Sequence, residues 1–197
     1  MRLLLTSTRR LFAEYLRVVI DGGHIPTAIN NPRRDLANEL SERLAQVDFI
    51  LVRVTELELE IPTLSDMHEC GHMYFELDAE SAARIELRVL TESFYYFAAR
   101  VRSIARNSKF PLPGLGLFEC RGVRDVRNKL LEHPEGGDSQ VLIVSFGHGG
   151  PNGPTVKPIR RVGQEQVFPD SGLFPNAREF GENLDRLLQQ ALDQSNA

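Results

Sequence analysis

Apolar residues recur at helical spacing over most of this chain. Residues 4 to 19 read as a first helix, ended by Gly22 and Gly23, and a loop runs on through Pro32. Asp35 is a candidate cap for a second helix, whose apolar positions are Leu36, Leu40, Leu44, Val47, Leu51, Val54 and Leu57. That pattern ends before Pro62, although Leu57, Leu59 and Ile61 also alternate as a short strand would. Residues 62 to 77 read as a connector, and Asp78 is placed to cap a long helix with the stripe Ala82, Ile85, Val89, Phe97, Val101 and Ile104. The run Phe94, Tyr95, Tyr96, Phe97 in that helix is expected to pack in the core or at an interface, not to stack on nucleic-acid bases. After a loop marked by Pro111, Pro113, Gly114 and Gly116, a short helix from about Gly122 to Glu132 is stopped by Pro134, because the residue before proline avoids helical backbone angles.

The period then changes. Val141 to Phe146 is a continuous apolar run bounded by glycines, the pattern of a buried strand, and Val156 to Val162 can return as the second strand of a hairpin, with Pro158 confining it to an edge. Asn176 with Glu179 reads as a capping box opening the last helix, whose apolar face is Phe180, Leu184, Leu187, Leu188 and Ala191. The expected fold class is therefore mainly α: an antiparallel helix bundle with a small β-hairpin, at about 140–163, inserted before the C-terminal helix. One domain spanning 1–197 is expected from the length.

Composition narrows the function classes. A chain of 197 residues that is 42% hydrophobic and 25% charged can bury a core and is not expected to be disordered. Its formal charge of −4 gives no overall attraction to nucleic acid or anionic lipid, so binding of either kind must use a local patch. Cys70 and Cys120 make no disulfide framework and are expected to be reduced thiols. The Leu3–Leu5 run is too short for a signal peptide, and no apolar stretch approaches the roughly eighteen residues that span a bilayer. A cytoplasmic protein with no membrane association is expected.

The first candidate site lies on the short helix. With Val123 at zero on a wheel of 100° per residue, Arg127 falls only about 40° away, between Val123 and Leu131, on the face that Val126 and Leu130 also mark as buried. Arg124, Asp125, Lys129 and Glu132 project elsewhere on this wheel. A charge on an apolar face is costly unless it is paired or put to use. His133 falls on the same half of the wheel. Residues 98 to 133 carry eight basic groups against Glu119, Asp125 and Glu132, a local excess of five on an acidic protein.

Arg127, Asn128 and His133 form an Arg-Asn-x4-His pattern that resembles the HEPN family, helical bundles with an Arg, four to six residues and then a His. The resemblance covers residues 121 to 134 and the general architecture. It implies RNA or nucleotide binding, with metal-independent endoribonuclease activity in toxin-antitoxin or phage-defence systems, a homodimer that brings two motifs together, and no cofactor. The residue types suit that chemistry: histidine titrates near neutrality and can shuttle the 2′-hydroxyl proton, while guanidinium stabilises charge on a pentacovalent phosphate. Arg17 and His24 also fit the four-to-six-residue pattern, and a plain ion-paired arginine with a histidine at a helix C-terminus accounts for the same residues.

The second candidate site is His68-Glu69-Cys70-Gly71-His72, a match to H-E-x-x-H, which on a helix puts two imidazoles on one face for zinc and a glutamate beside the metal-bound water. It resembles the zincin metalloproteases and implies a zinc metallohydrolase as the alternative enzyme, with Glu80, Glu86 or Glu92 as third ligand. A non-catalytic metal site using Cys70, or a solvated polar connector, explains the pattern equally. Gly147-His148-Gly149-Gly150 follows a strand but lacks the lysine and following helix of a phosphate loop, so a tight turn is expected. The third class of function is a non-catalytic interaction module.

Overall fold

The computed structural model describes residues 4–28, 30–60, 82–131, 139–144, 157–162, 165–167 and 172–195. Its helices are α1 (Thr6–Asp21), α2 (Pro32–Glu60), α3 (Ala82–Ala105), α4 (Arg121–Leu131) and α5 (Leu173–Ser195), and the fold is mainly helical. Between α4 and α5 the backbone forms β1 (Ser139–Val144), β2 (Lys157–Val162) and β3 (Glu165–Val167), antiparallel in the order β1-β2-β3. Pro158 sits opposite Ile143 of β1, while β3 pairs only with Arg160–Val162, so no β3 residue faces the position that lacks an N–H.

Local chemistry explains where α2 begins. Asn31 Oδ1 accepts from the Arg33 amide at 3.0 Å, Pro32 takes the first helical position, and Asp35 lies in the first turn, where the helix dipole favours an acid. The cap is therefore Asn31, not Asp35. The helix runs through Glu60, so Leu57 and Leu59 belong to it rather than to a strand. Leu40, Leu44, Val47, Leu51, Val54 and Leu57 are all buried, as their spacing predicts.

Side-chain pairs set the direction of α3 against α2. Arg100 bonds Glu39 through two hydrogen bonds of 2.8 and 3.0 Å, and Arg53 bonds Glu86 through two of 2.8 and 3.1 Å. Moving from 39 to 53 on α2 thus corresponds to moving from 100 back to 86 on α3, an antiparallel pair in constant register. Between the flanking ion pairs lies an apolar seam. Buried on α3 are Leu87, Phe94, Tyr95 and Ala98 between the pairs and Val101 and Ile104 beyond them, each worth on the order of 1–3 kcal/mol if large. The expected stripe holds only for the C-terminal half of α3: Ile85 and Val89 are 51% and 55% exposed, and the buried line passes through Leu87 and Thr91 instead.

Direction differs again at α1 and α5. Gly181 lies against Leu5 and Thr8 at the start of α1, Tyr15 Oη donates to the Pro113 carbonyl at 2.8 Å, and the adjoining Gly114 lies on Ala191. The two helices therefore run parallel, a departure from a wholly antiparallel bundle. The segment from Gly114 to Cys120 carries the chain back along α5, from Ala191 past Asn183 to Asn176, before α4 begins. Gly114 needs its freedom here: its φ is +75°, and a Cβ would come 2.7 Å from Ala191 Cβ. Helix α5 starts at Leu173, so Asn176 is not its cap but a buried residue of its first turn, where Pro175 costs no hydrogen bond.

Asp48 anchors the chain's first described turn. Only 1% exposed, its carboxylate accepts from the Leu5 amide at 3.2 Å and from Arg9 Nη1 at 3.2 Å, tying the start of α1 to α2. Replacing it leaves a buried amide without an acceptor. Asp48→Ala is expected to cost about 2–4 kcal/mol in denaturant unfolding, and Asp48→Asn, which keeps one acceptor, clearly less.

Candidate functional site

Helix α3 carries two faces. Phe94, Tyr95, Ala98 and Val101 turn into the core, and on the other side Tyr96, Arg100 and Ser103 recur at helical spacing with Arg102 on their shoulder. Helix α4 meets this second face with Arg124, Arg127 and Asn128, which at i, i+3 and i+4 share one side of a helix. Together these residues line a cleft of about 330 Å³. Arg124 thus enters the same cleft as Arg127, where the wheel had turned it away. A spacing of three residues leaves only about 60° between them, close enough for two long side chains to converge.

Buried polar contacts tie α3 and the residue before α4 to α5. Asn176 Nδ2 on α5 donates to Tyr95 Oη on α3 at 2.9 Å, and Cys120 Sγ, just before α4, donates to the Asn176 carbonyl at 3.9 Å. A Cβ on Gly122 would collide with Asn176 Oδ1, so glycine permits this close approach of α4 to α5. Asn183 Nδ2 adds a bond to the Glu119 carbonyl at 3.2 Å. Burial pushes the Cys120 thiol up to about 11 and raises the Tyr95 hydroxyl as well, so both stay protonated at neutral pH.

Arginines outnumber acids around the cleft. Glu39 is shared by Arg100 and Arg43, Glu119 by Arg102 and Arg106, and Asp125 pairs with Arg124 at 3.0 Å. Hydrogen bonding from Arg100 is the main reason that the Glu39 carboxyl lies below its ordinary range, and the same bonds raise the Arg100 guanidinium. Arg127 completes the set. Half-buried, it meets no carboxylate among the described residues, and its Nη1 donates to Asn128 Oδ1 at 3.3 Å. Among the described residues, six guanidinium groups here share three ion-paired carboxylates.

Of the residues predicted for the first site, Arg127 and Asn128 lie together in the cleft, and His133 lies outside the described residues. His68, Glu69, Cys70 and His72 of the zinc pattern, and Glu80, also lie outside them. Glu86, another candidate third ligand, is engaged by Arg53. Tyr96 and Ser103 were not anticipated as site residues; the period that puts 96, 100 and 103 opposite 94, 98 and 101 is the signal that could have found them. No helix among the described residues is long and apolar enough to cross a membrane. No family model, curated protein or solved structure matches the chain.

The raised thiol gives a test of the buried contact with α5. In a Cys70→Ser background, Cys120 is expected to resist a thiol reagent at pH 8 until the protein unfolds. Its folded value of about 11 exceeds the ordinary 9.0, so the unfolded chain loses the proton first. This contribution to stability is complete below pH 9.0 and declines as pH rises towards about 11, which denaturant melts at successive pH values would record.

Proposed function

We propose that this chain is an HEPN-like protein that handles RNA or nucleotides, that the α3–α4 cleft receives phosphate, and that its activity is metal-independent cleavage of RNA by a homodimer. The observation that supports this reading is the surplus of guanidinium over carboxylate around the cleft, with Arg127 lacking an acidic partner among the described residues. An anion completes such a set at little cost in side-chain ordering, because Glu39, Glu119, Asp125 and Asn128 already hold the arginines.

In this proposal Arg127 binds a non-bridging phosphate oxygen and Asn128, accepting one of its N–H groups, holds the guanidinium plane. His133 takes the proton as the 2′-oxygen attacks phosphorus, and a proton returns to the departing 5′-oxygen. The bond from phosphorus to that oxygen breaks, leaving a 2′,3′-cyclic phosphate and a 5′-hydroxyl. The cytoplasmic setting, the role in toxin-antitoxin or phage defence, and the assignment of the strands to a hairpin inserted before the C-terminal helix belong to the same reading.

Single-stranded RNA incubated with the protein in EDTA tests it. Cleavage is expected, with kcat falling about 10²–10³-fold in Arg127→Ala and comparably in His133→Ala, while thermal unfolding of Arg127→Ala stays near that of the parent. RNA cleavage that both variants retain, or that chelation abolishes, would defeat the proposal.

A further inference from the structure

Tyr96 is the odd member of the cleft. Its neighbours Phe94 and Tyr95 are fully buried, so the core is filled without it, yet it leaves 38% of its surface open beside Arg100 and Arg127. An aromatic ring held in a cationic cleft carries a cost in exposed apolar surface that burial elsewhere would remove. Among the described residues no ring stacks on Tyr96, and the guanidinium that does lie over an α3 ring, that of Arg43, covers Phe97 instead. From Tyr96 to Ser103 the lining face of α3 rises about 10 Å, a length that suits one nucleotide unit with a neighbouring phosphate.

We infer that Tyr96 is a stacking platform for one unpaired base, so that the cleft takes single-stranded RNA with a base on the ring and the adjoining phosphate on Arg100, Arg124 and Arg127. The inference rests on the phosphate reading of the cleft and adds to it a choice of substrate. Duplex bases are already stacked on each other and offer no free face, whereas a loop or single strand does. Stacking accepts any base, so the cleft selects strandedness more than sequence.

Fluorescence anisotropy with a short single-stranded oligoribonucleotide, the same strand made abasic, and a duplex of the same sequence decides the matter. The base-bearing strand is expected to bind roughly ten- to hundred-fold more tightly than the abasic one. That preference should collapse to about two-fold or less in Tyr96→Ala and return in Tyr96→Phe, which keeps the ring. The duplex should bind more weakly than the single strand. A preference that survives Tyr96→Ala, or equal binding of base-bearing and abasic strands, overturns the inference. If both strands bind equally and Arg127→Ala weakens both, the phosphate reading stands without the stack. If neither strand binds, the stack falls together with the RNA reading of the cleft.

Discussion

The contact between α2 and α3 is the constraint from which the rest follows. It joins the two longest helices in constant antiparallel register, with an apolar seam between ion pairs at Glu39–Arg100 and Arg53–Glu86. The exposed ends of such pairs contribute little stability on their own. Their value lies in direction: they make a slide of α3 along α2 lose both bidentate bonds at once. With α3 so fixed, one of its faces is committed to the core, and the opposite face must be covered by α4 or left to solvent. The cleft forms where α4 covers that face incompletely.

Charge around the cleft follows from this arrangement. Glu39 belongs to α2, so the Arg100 side chain is shared between the helix seam and the cleft wall. Glu119 plays the same part for Arg102 and Arg106 from the segment before α4. Each acid neutralises about one charge while holding two guanidinium groups, which leaves positive charge in place without leaving the arginines unconstrained. Among the described residues Arg127 differs from them because its side-chain partner is an amide. An amide fixes geometry and cancels no charge, unlike the carboxylates that hold the other arginines.

Long periodic segments were the most legible part of the sequence. The buried positions of α2 and α5 were readable because one helical face of each is apolar throughout. The first half of α3 misled because two stripes compete there: Ile85 and Val89 are as apolar as Leu87, and only the register against α2 decides which is buried. Caps were misread for a related reason. Asp35 and Asn176 are both good cap residues, but the proline next to Asn31 starts α2 earlier, and Asn176 serves a tertiary bond to Tyr95. The cleft was half legible. Arg127 stood out as a cation on an apolar face, whereas Tyr96 was hidden inside a run of four aromatics whose members divide between core and cleft.

That division of adjacent rings ties the cleft to the core. Tyr95 points inward to Asn176 on α5, and Tyr96 points outward beside Arg100, so one backbone segment of α3 sets both. Cys120 reaches the same Asn176 carbonyl from the residue that precedes α4, placing the root of α4 on the same buried contact. The two helices that wall the cleft are thus tied to one asparagine of α5. A ligand that bridges Tyr96 and Arg127 would join α3 to α4, which Asn176 already ties together. Such a ligand needs little rearrangement on binding, because the spacing of the walls is set by the core and not by a loop.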